Sequence, residues 1–208
     1  LRTPSPRLPQ WGWRPGADWH WAHAASAGSC RCGRGRERMR RPTPVLLHGW
    51  GFSAAVWDPL LPLIADLDPR VPDLPGHGGA PGGSELADAA ATAGWLLDRL
   101  PRDLHEPVWV GWSLGALVAL ALAARWPGPQ RMVLVCGTPR FTVGPDWPFA
   151  LDPAALAGFA EELERDRVAL ERRFAALCAQ GSGAASALRR RLAAQMRERP
   201  AAVPALRA

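Results

Sequence analysis

The residues with the clearest capacity for chemistry are Gly111-Trp112-Ser113-Leu114-Gly115. A serine is a weak nucleophile until a turn isolates its hydroxyl and a base takes its proton. Here the serine follows an apolar stretch, Pro107–Val110, and opens an apolar helical segment, Leu114–Trp126, unbroken by charge as far as Ala124. A strand-to-helix turn that sharp holds its central residue in a strained backbone region. The neighbours two positions away must then lack side chains, as both glycines do. Such a turn would lift Ser113 Oγ above a sheet, at the positive end of the following helix.

Two further clusters precede it. His48-Gly49-Trp50-Gly51 follows the apolar run Pro44–Leu47, and Asp73-Leu74-Pro75-Gly76-His77-Gly78 lies between that cluster and the serine. His48 is expected to shape its loop rather than act as a base, and His77 and His105 are expected in loops or at the surface.

Short apolar runs alternate with helical periodicity between these clusters. Strands are expected over Thr43–His48, Arg70–Asp73, Glu106–Trp112 and Arg131–Gly137, and helices over Ser53–Leu67, Ser84–Leu100 and Leu114–Trp126. That alternation implies βαβ units and a mostly parallel sheet with helices on both faces. After Pro139 only helical signals remain. Leu156, Phe159 and Leu163, then Leu170, Phe174 and Leu177, recur at helical spacing as far as Arg199, with a break at Gly181–Gly183. This stretch reads as a helical lid over the sheet's C-terminal edge, where ligands bind in open α/β folds.

The chain therefore divides into an extension (1–38), an α/β core (39–147), a lid (148–200) and a loop-like end (201–208). Residues 1–38 are rich in Pro, Gly, Arg and Trp and lack periodicity, so Met39 is the expected start and the extension is expected to be non-native or disordered.

Charge and cysteines exclude several functions. The formal net charge is +6, but +5 of it belongs to residues 1–38, which leaves +1 for the body and no footprint for nucleic acid. His20, His23, Cys30 and Cys32 do not make a convincing zinc site, because Cys-x-Cys is tighter than the usual ligand spacing. No metal and no cofactor are expected. Cys136 and Cys178 stand in apolar surroundings, as reduced buried thiols of a cytoplasmic protein would. No apolar run is long enough to span a bilayer, so no membrane role is expected.

The three motifs together resemble the α/β-hydrolase superfamily and, within it, the pimeloyl-[acyl-carrier protein] methyl ester carboxylesterases of biotin synthesis. That narrower resemblance rests on Leu46-Leu-His-Gly-Trp-Gly51, Asp73-Leu-Pro-Gly-His-Gly78 and Gly111-Trp-Ser-Leu-Gly115. It continues in Pro139-Arg-Phe141, Asp146-Trp-Pro148 and Leu156-Ala-Gly-Phe159. It implies an α/β-hydrolase fold and a serine carboxylesterase, with Ser113 as nucleophile and the backbone N–H groups of Trp50 and Leu114 as the oxyanion hole. Trp50, Trp112 and Phe174 would contact the acyl group. Arg173, Arg189 and Arg190 would face an acidic acyl-carrier protein, although a solvated helix face accounts for them equally well. The enzyme would act as a monomer.

The resemblance also implies an Asp and a His after the lid, yet no histidine follows Ser113. The chain is thus expected to be a C-terminal truncation that lacks the last strands, leaves Arg131–Gly137 as an exposed apolar edge, and is inactive by itself. Two alternatives remain at this stage: a short-chain carboxylesterase of broad specificity, and a non-catalytic binding module.

Overall fold

A computed structural model describes residues 41–82 and 88–207. Its centre is a parallel three-stranded sheet in the order β1 (Pro44–Leu47), β2 (Val108–Trp112) and β3 (Arg131–Val135). Pro44 aligns with Val108, and Val110 with Val133. Helix α2 (Leu114–Ala123) packs against all three strands, and α1 (Ala89–Leu97) packs on α2. Val45, Leu47 and Trp109 meet Ala93, Leu96, Val118 and Leu122 there in one buried cluster. Asp88 caps α1 by accepting from Ala91 N. Trp109 keeps its indole N–H satisfied inside this core by donating to Gln130 at 2.7 Å.

Three local expectations are corrected. The helix expected over Ser53–Leu67 is instead three short 3-10 turns, at Ala54–Trp57, Leu61–Leu63 and Ala65–Leu67. Pro59 and Pro62 explain this, since each lacks an N–H and would collide with the carbonyl four residues earlier in an α-helix. The strand expected at Arg70–Asp73 contracts to a single bridge, in which Arg70 exchanges two 2.8 Å hydrogen bonds with the Pro44–Leu46 backbone. The loop-like end contains a helical turn, Val203–Arg207, with Leu206 buried. The N-terminal part of the helix expected from Ser84 falls on residues 83–87, outside the described residues, as do all expectations for residues 1–38.

Beyond the sheet come α3 (Pro153–Arg165), α4 (Arg167–Cys178), α5 (Ala185–Glu198) and the short α6 (Val203–Arg207). Asp152 and Asp166 cap α3 and α4 through the N–H groups of Ala154 and Ala169, and Pro153 takes the first helical position, where its missing N–H costs nothing. Of the expected apolar stripe, Leu163 and Leu170 are buried, whereas Leu156 and Leu177 face solvent. The edge strand β3 is exposed along its whole length, Met132 to Val135 each showing 40–48% of their surface.

Candidate active site

Ser113 sits between the last residue of β2 and the first of α2, at φ 55° and ψ −115°. The reason for both flanking glycines is visible in the packing. A Cβ on Gly111 would lie 2.3 Å from the Gly115 carbonyl oxygen, and one on Gly115 would lie 2.3 Å from that of Leu47. The elbow is pinned by backbone. Ser113 N–H donates to the Val135 carbonyl at 2.9 Å, and the Ser113 carbonyl accepts from Ala116 N at 2.9 Å. Leu114 begins the helix, so its N–H has no partner within the helix and is available to an anion.

The loop after β1 lies directly against this elbow. A Cβ on Gly49 would stand 3.2 Å from the Trp112 ring and 3.4 Å from Ser113 Cβ. Behind that loop is a buried polar network. His48 donates from Nδ1 to the Gly49 carbonyl at 2.9 Å and accepts at Nε2 from Leu74 N at 2.9 Å. His77 donates from Nδ1 to the Pro75 carbonyl at 3.0 Å and accepts at Nε2 from Gly51 N at 3.3 Å. Asp73 joins the loops by accepting from Ala54 N at 2.6 Å and from Gly79 N at 3.1 Å.

Burial is the main cause that lowers the pKa of both imidazoles. His48 falls to about 4, with the nearby His77 adding to the effect; His77 moves in the same direction. Both rings are therefore neutral, with their acceptor nitrogens occupied, and neither can take a proton from Ser113. His77 was expected in a loop or at the surface; it is in a loop but buried, because it is the link that ties the Asp73–Gly78 loop to Gly51. The repeat of His-Gly in two apolar-flanked loops was the available signal for that pairing.

His105 is part-exposed and precedes β2, whereas Ser113 follows it. The whole of β2 (Val108–Trp112) lies between them, an extended run of roughly 15 Å, so the two side chains sit at opposite ends of the strand. Among the described residues no three His, Cys, Asp or Glu side chains form a metal-binding group. The residues His20, His23, Cys30 and Cys32 lie outside the described set.

The three aromatic residues expected near substrate do come together. Trp50 meets Phe159 and Phe174 edge-on at 4.8 and 5.1 Å, and Phe52 bridges Phe174 to Trp112. Trp50 is held from the other side by its indole N–H, which donates to the Leu206 carbonyl at 2.9 Å. Sequence patterning gave no hint of that contact, which joins positions 156 residues apart.

Arg173, Arg189 and Arg190 are exposed. They line one groove of about 490 Å³ between α4 and α5, together with Arg172 and Arg197, which sequence reasoning did not single out. Arg173 also pairs with Glu162 of α3.

Comparison with known proteins agrees with this architecture. The Alpha/beta hydrolase family profile matches residues 45–208. A pimeloyl-[acyl-carrier protein] methyl ester esterase of Aromatoleum aromaticum is 42% identical over 178 residues, covering 80% of this chain and 69% of that protein. The protein of the same name from Methylococcus capsulatus is 42% identical over 77% of this chain and 62% of its own length. The chain thus spans between 54% and 69% of the length of the curated relatives it matches. An esterase from Exiguobacterium antarcticum superposes with a TM-score of 0.69 at 16% identity, over 80% of this chain and 63% of that one, which is a likeness of fold. A matched profile over most of its length, close relatives and a glycine-flanked serine elbow on a parallel sheet lead to one conclusion: this chain belongs to the alpha/beta hydrolase family.

Proposed function

We propose that the protein carrying this chain is a serine carboxylesterase that hydrolyses the methyl ester of pimeloyl-acyl-carrier protein in biotin biosynthesis. The observation that carries this proposal is Ser113, held at φ 55° between two glycines that packing forbids from bearing side chains. The 42% identical relatives of that name support the choice of substrate.

In the proposed reaction Ser113 Oγ attacks the ester carbonyl as a base removes its proton. The tetrahedral oxyanion is received by the backbone N–H groups of Trp50 and Leu114. Collapse releases methanol, which takes the proton back, and water then hydrolyses the acyl-enzyme by the same route. The base is neither His48 nor His77, both of which are committed to backbone partners. We place the base and its orienting carboxylate outside residues 41–207, so that these residues supply nucleophile, oxyanion donors and binding surface. Trp50, Trp112 and Phe174 form the acyl wall.

Residues 39–147 serve as the core and 148–200 as the lid, whose groove of arginines receives the acidic carrier. Arg173, Arg189 and Arg190 act there chiefly by steering encounter. The enzyme works as a monomer in the cytoplasm; Cys136 and Cys178, expected to be buried thiols, are instead exposed and half-buried.

The test is methanol release from the carrier-bound methyl ester by the gene product that contains this chain, with and without Ser113→Ala. Loss of at least about a thousandfold is expected on removing the nucleophile. Equal turnover of short free esters and of the carrier-bound ester would favour a broad esterase instead. Tight binding of the acyl carrier with no turnover would favour a binding module.

A further inference from the structure

Beside the elbow, α5 and the Ala54–Trp57 turn line an open pocket of about 300 Å³. Its apolar wall includes Trp112, Leu192 and Val135, the residue whose carbonyl holds Ser113 N–H. That volume is at the small end for ligand sites and suits a length of chain rather than a bulky group. Helix α5 turns Leu188, Arg191, Leu192 and Gln195 toward this pocket, and Arg189, Arg190, Ala193 and Arg197 toward the arginine groove. One helix therefore separates the two surfaces, as its period of 3.6 residues dictates.

Two side chains of the pocket wall hold buried polar atoms with no partner: Trp57 Nε1, a donor, and Gln195 Oε1, an acceptor. Which terminal atom of Gln195 is the oxygen follows from the other, since Nε2 donates to the Ala55 carbonyl at 2.9 Å and an oxygen placed there could not. Trp57 and Gln195 line the same pocket, so the orphaned donor and acceptor belong to one wall. An unmet buried polar group costs about 1–3 kcal/mol, and two in one pocket wall call for a partner.

We propose that this patch is a subsite for a secondary amide in the substrate's tether. The amide carbonyl accepts from Trp57 Nε1, and its N–H donates to Gln195 Oε1, once the two side chains turn slightly toward the pocket they line. Arg191, one turn before Gln195 on the same wall, provides a cation for an anionic group further along. A phosphopantetheine arm contains secondary amides and a phosphate. Naming it as the tether rests on the carrier-bound substrate proposed above, whereas the amide specificity does not.

Titration calorimetry on the full chain with two non-hydrolysable probes tests this. One is S-heptyl-phosphopantetheine; the other is its ketone analogue, with a methylene in place of the amide N–H nearest sulfur. The amide probe is expected to bind about tenfold tighter, the ketone leaving Gln195 Oε1 unmet. Gln195→Met should erase that difference. Trp57→Phe should weaken both probes by a similar factor, because both keep the carbonyl.

Equal binding of the two probes to the unaltered chain, as when water alone serves the pair, overturns the subsite. So does an unchanged affinity in Trp57→Phe, a variant that keeps the ring and is the safer one should Gln195→Met not fold. An amide preference without hydrolysis of the carrier-bound ester would sink the proposed function and leave the subsite standing. Hydrolysis without the preference would do the reverse.

Discussion

The backbone N–H of Ser113 donates to the carbonyl of Val135 at 2.9 Å, so the elbow is fastened to the last residue of the edge strand β3. The hydrogen bond holds a residue whose φ of 55° is unfavourable for any side chain but glycine's lack of one. Ser113→Gly should therefore raise stability by about 1 kcal/mol, the order of strain stored in such a conformation. A urea midpoint below that of the unaltered chain would count against strain at this residue. The same change should remove ester hydrolysis, which would make the elbow a site where stability is given up for function.

The two glycine environments in helices should respond in opposite directions. Gly115→Ala forces a Cβ to 2.3 Å from the Leu47 carbonyl, a backbone atom with nowhere to go. Destabilisation of about 1–3 kcal/mol is expected, as for other overpacked sites. Gly94 lies inside α1 with nothing within 4 Å of its missing Cβ. Gly94→Ala should accordingly stabilise by about 0.5–1 kcal/mol through helix propensity alone. Denaturant unfolding of the pair measures both, and a Gly115→Ala variant as stable as the parent would refute the close approach.

Much of the site was legible because its constraints are local. Gly111 and Gly115 are required by a turn five residues long, and the apolar runs around it specify β2 and α2 by length and period. What escaped was set by distant contacts. His77 reads as a loop residue until Gly51, 26 positions earlier, is seen to donate to it. The Val203–Arg207 turn gains its reason from Trp50, whose indole N–H needs an acceptor once buried. The 3-10 turns are a different case, since Pro59 and Pro62 are local signals that break an α-helix within the segment itself.

Acid should weaken the fold through His48. Its folded pKa is about 4 against an ordinary value of 6.5, mainly because burial disfavours the cation. Above pH 6.5 the ring is neutral in both states and its contribution is complete. As pH falls from 6.5 toward 4 the unfolded chain binds a proton that the folded chain refuses, and stability drops by up to about 3 kcal/mol. His77 shifts in the same direction and adds to the loss. Urea midpoints at pH 7.5 and 4.5 should differ accordingly. In His48→Gln the protein should be weaker at pH 7.5 yet lose less between the two conditions; an undiminished loss would assign the acid sensitivity elsewhere.

The arginine groove should reveal itself in salt dependence. Arg189 and Arg190 point from α5 into a groove shared with Arg172, Arg173 and Arg197. Exposed charges of one sign accelerate encounter with an acidic partner and are screened over about 8–10 Å at moderate ionic strength. Arg190→Glu should slow association with an acyl-carrier protein by about tenfold at low salt and by little at high salt, measured by surface-immobilised binding. Identical slowing at both salt concentrations would mean that Arg190 packs rather than steers.

The exposed edge carries the last prediction. β3 offers Met132, Val133, Leu134 and Val135 at 40–48% exposure, with one side of its backbone unpaired among the described residues. A β-rich apolar segment on an open edge templates pairing with other chains. Residues 41–207 expressed alone should therefore self-associate, with an apparent mass in sedimentation that rises with concentration. Val133→Lys puts a charge on that edge and should hold the protein monomeric to higher concentration, at little cost where the position is half exposed. The elbow supplies the internal check: because Ser113 N–H hangs on Val135, pairing at β3 should also slow amide exchange at Ser113. Association that left Ser113 exchange unchanged would place the contact on another face.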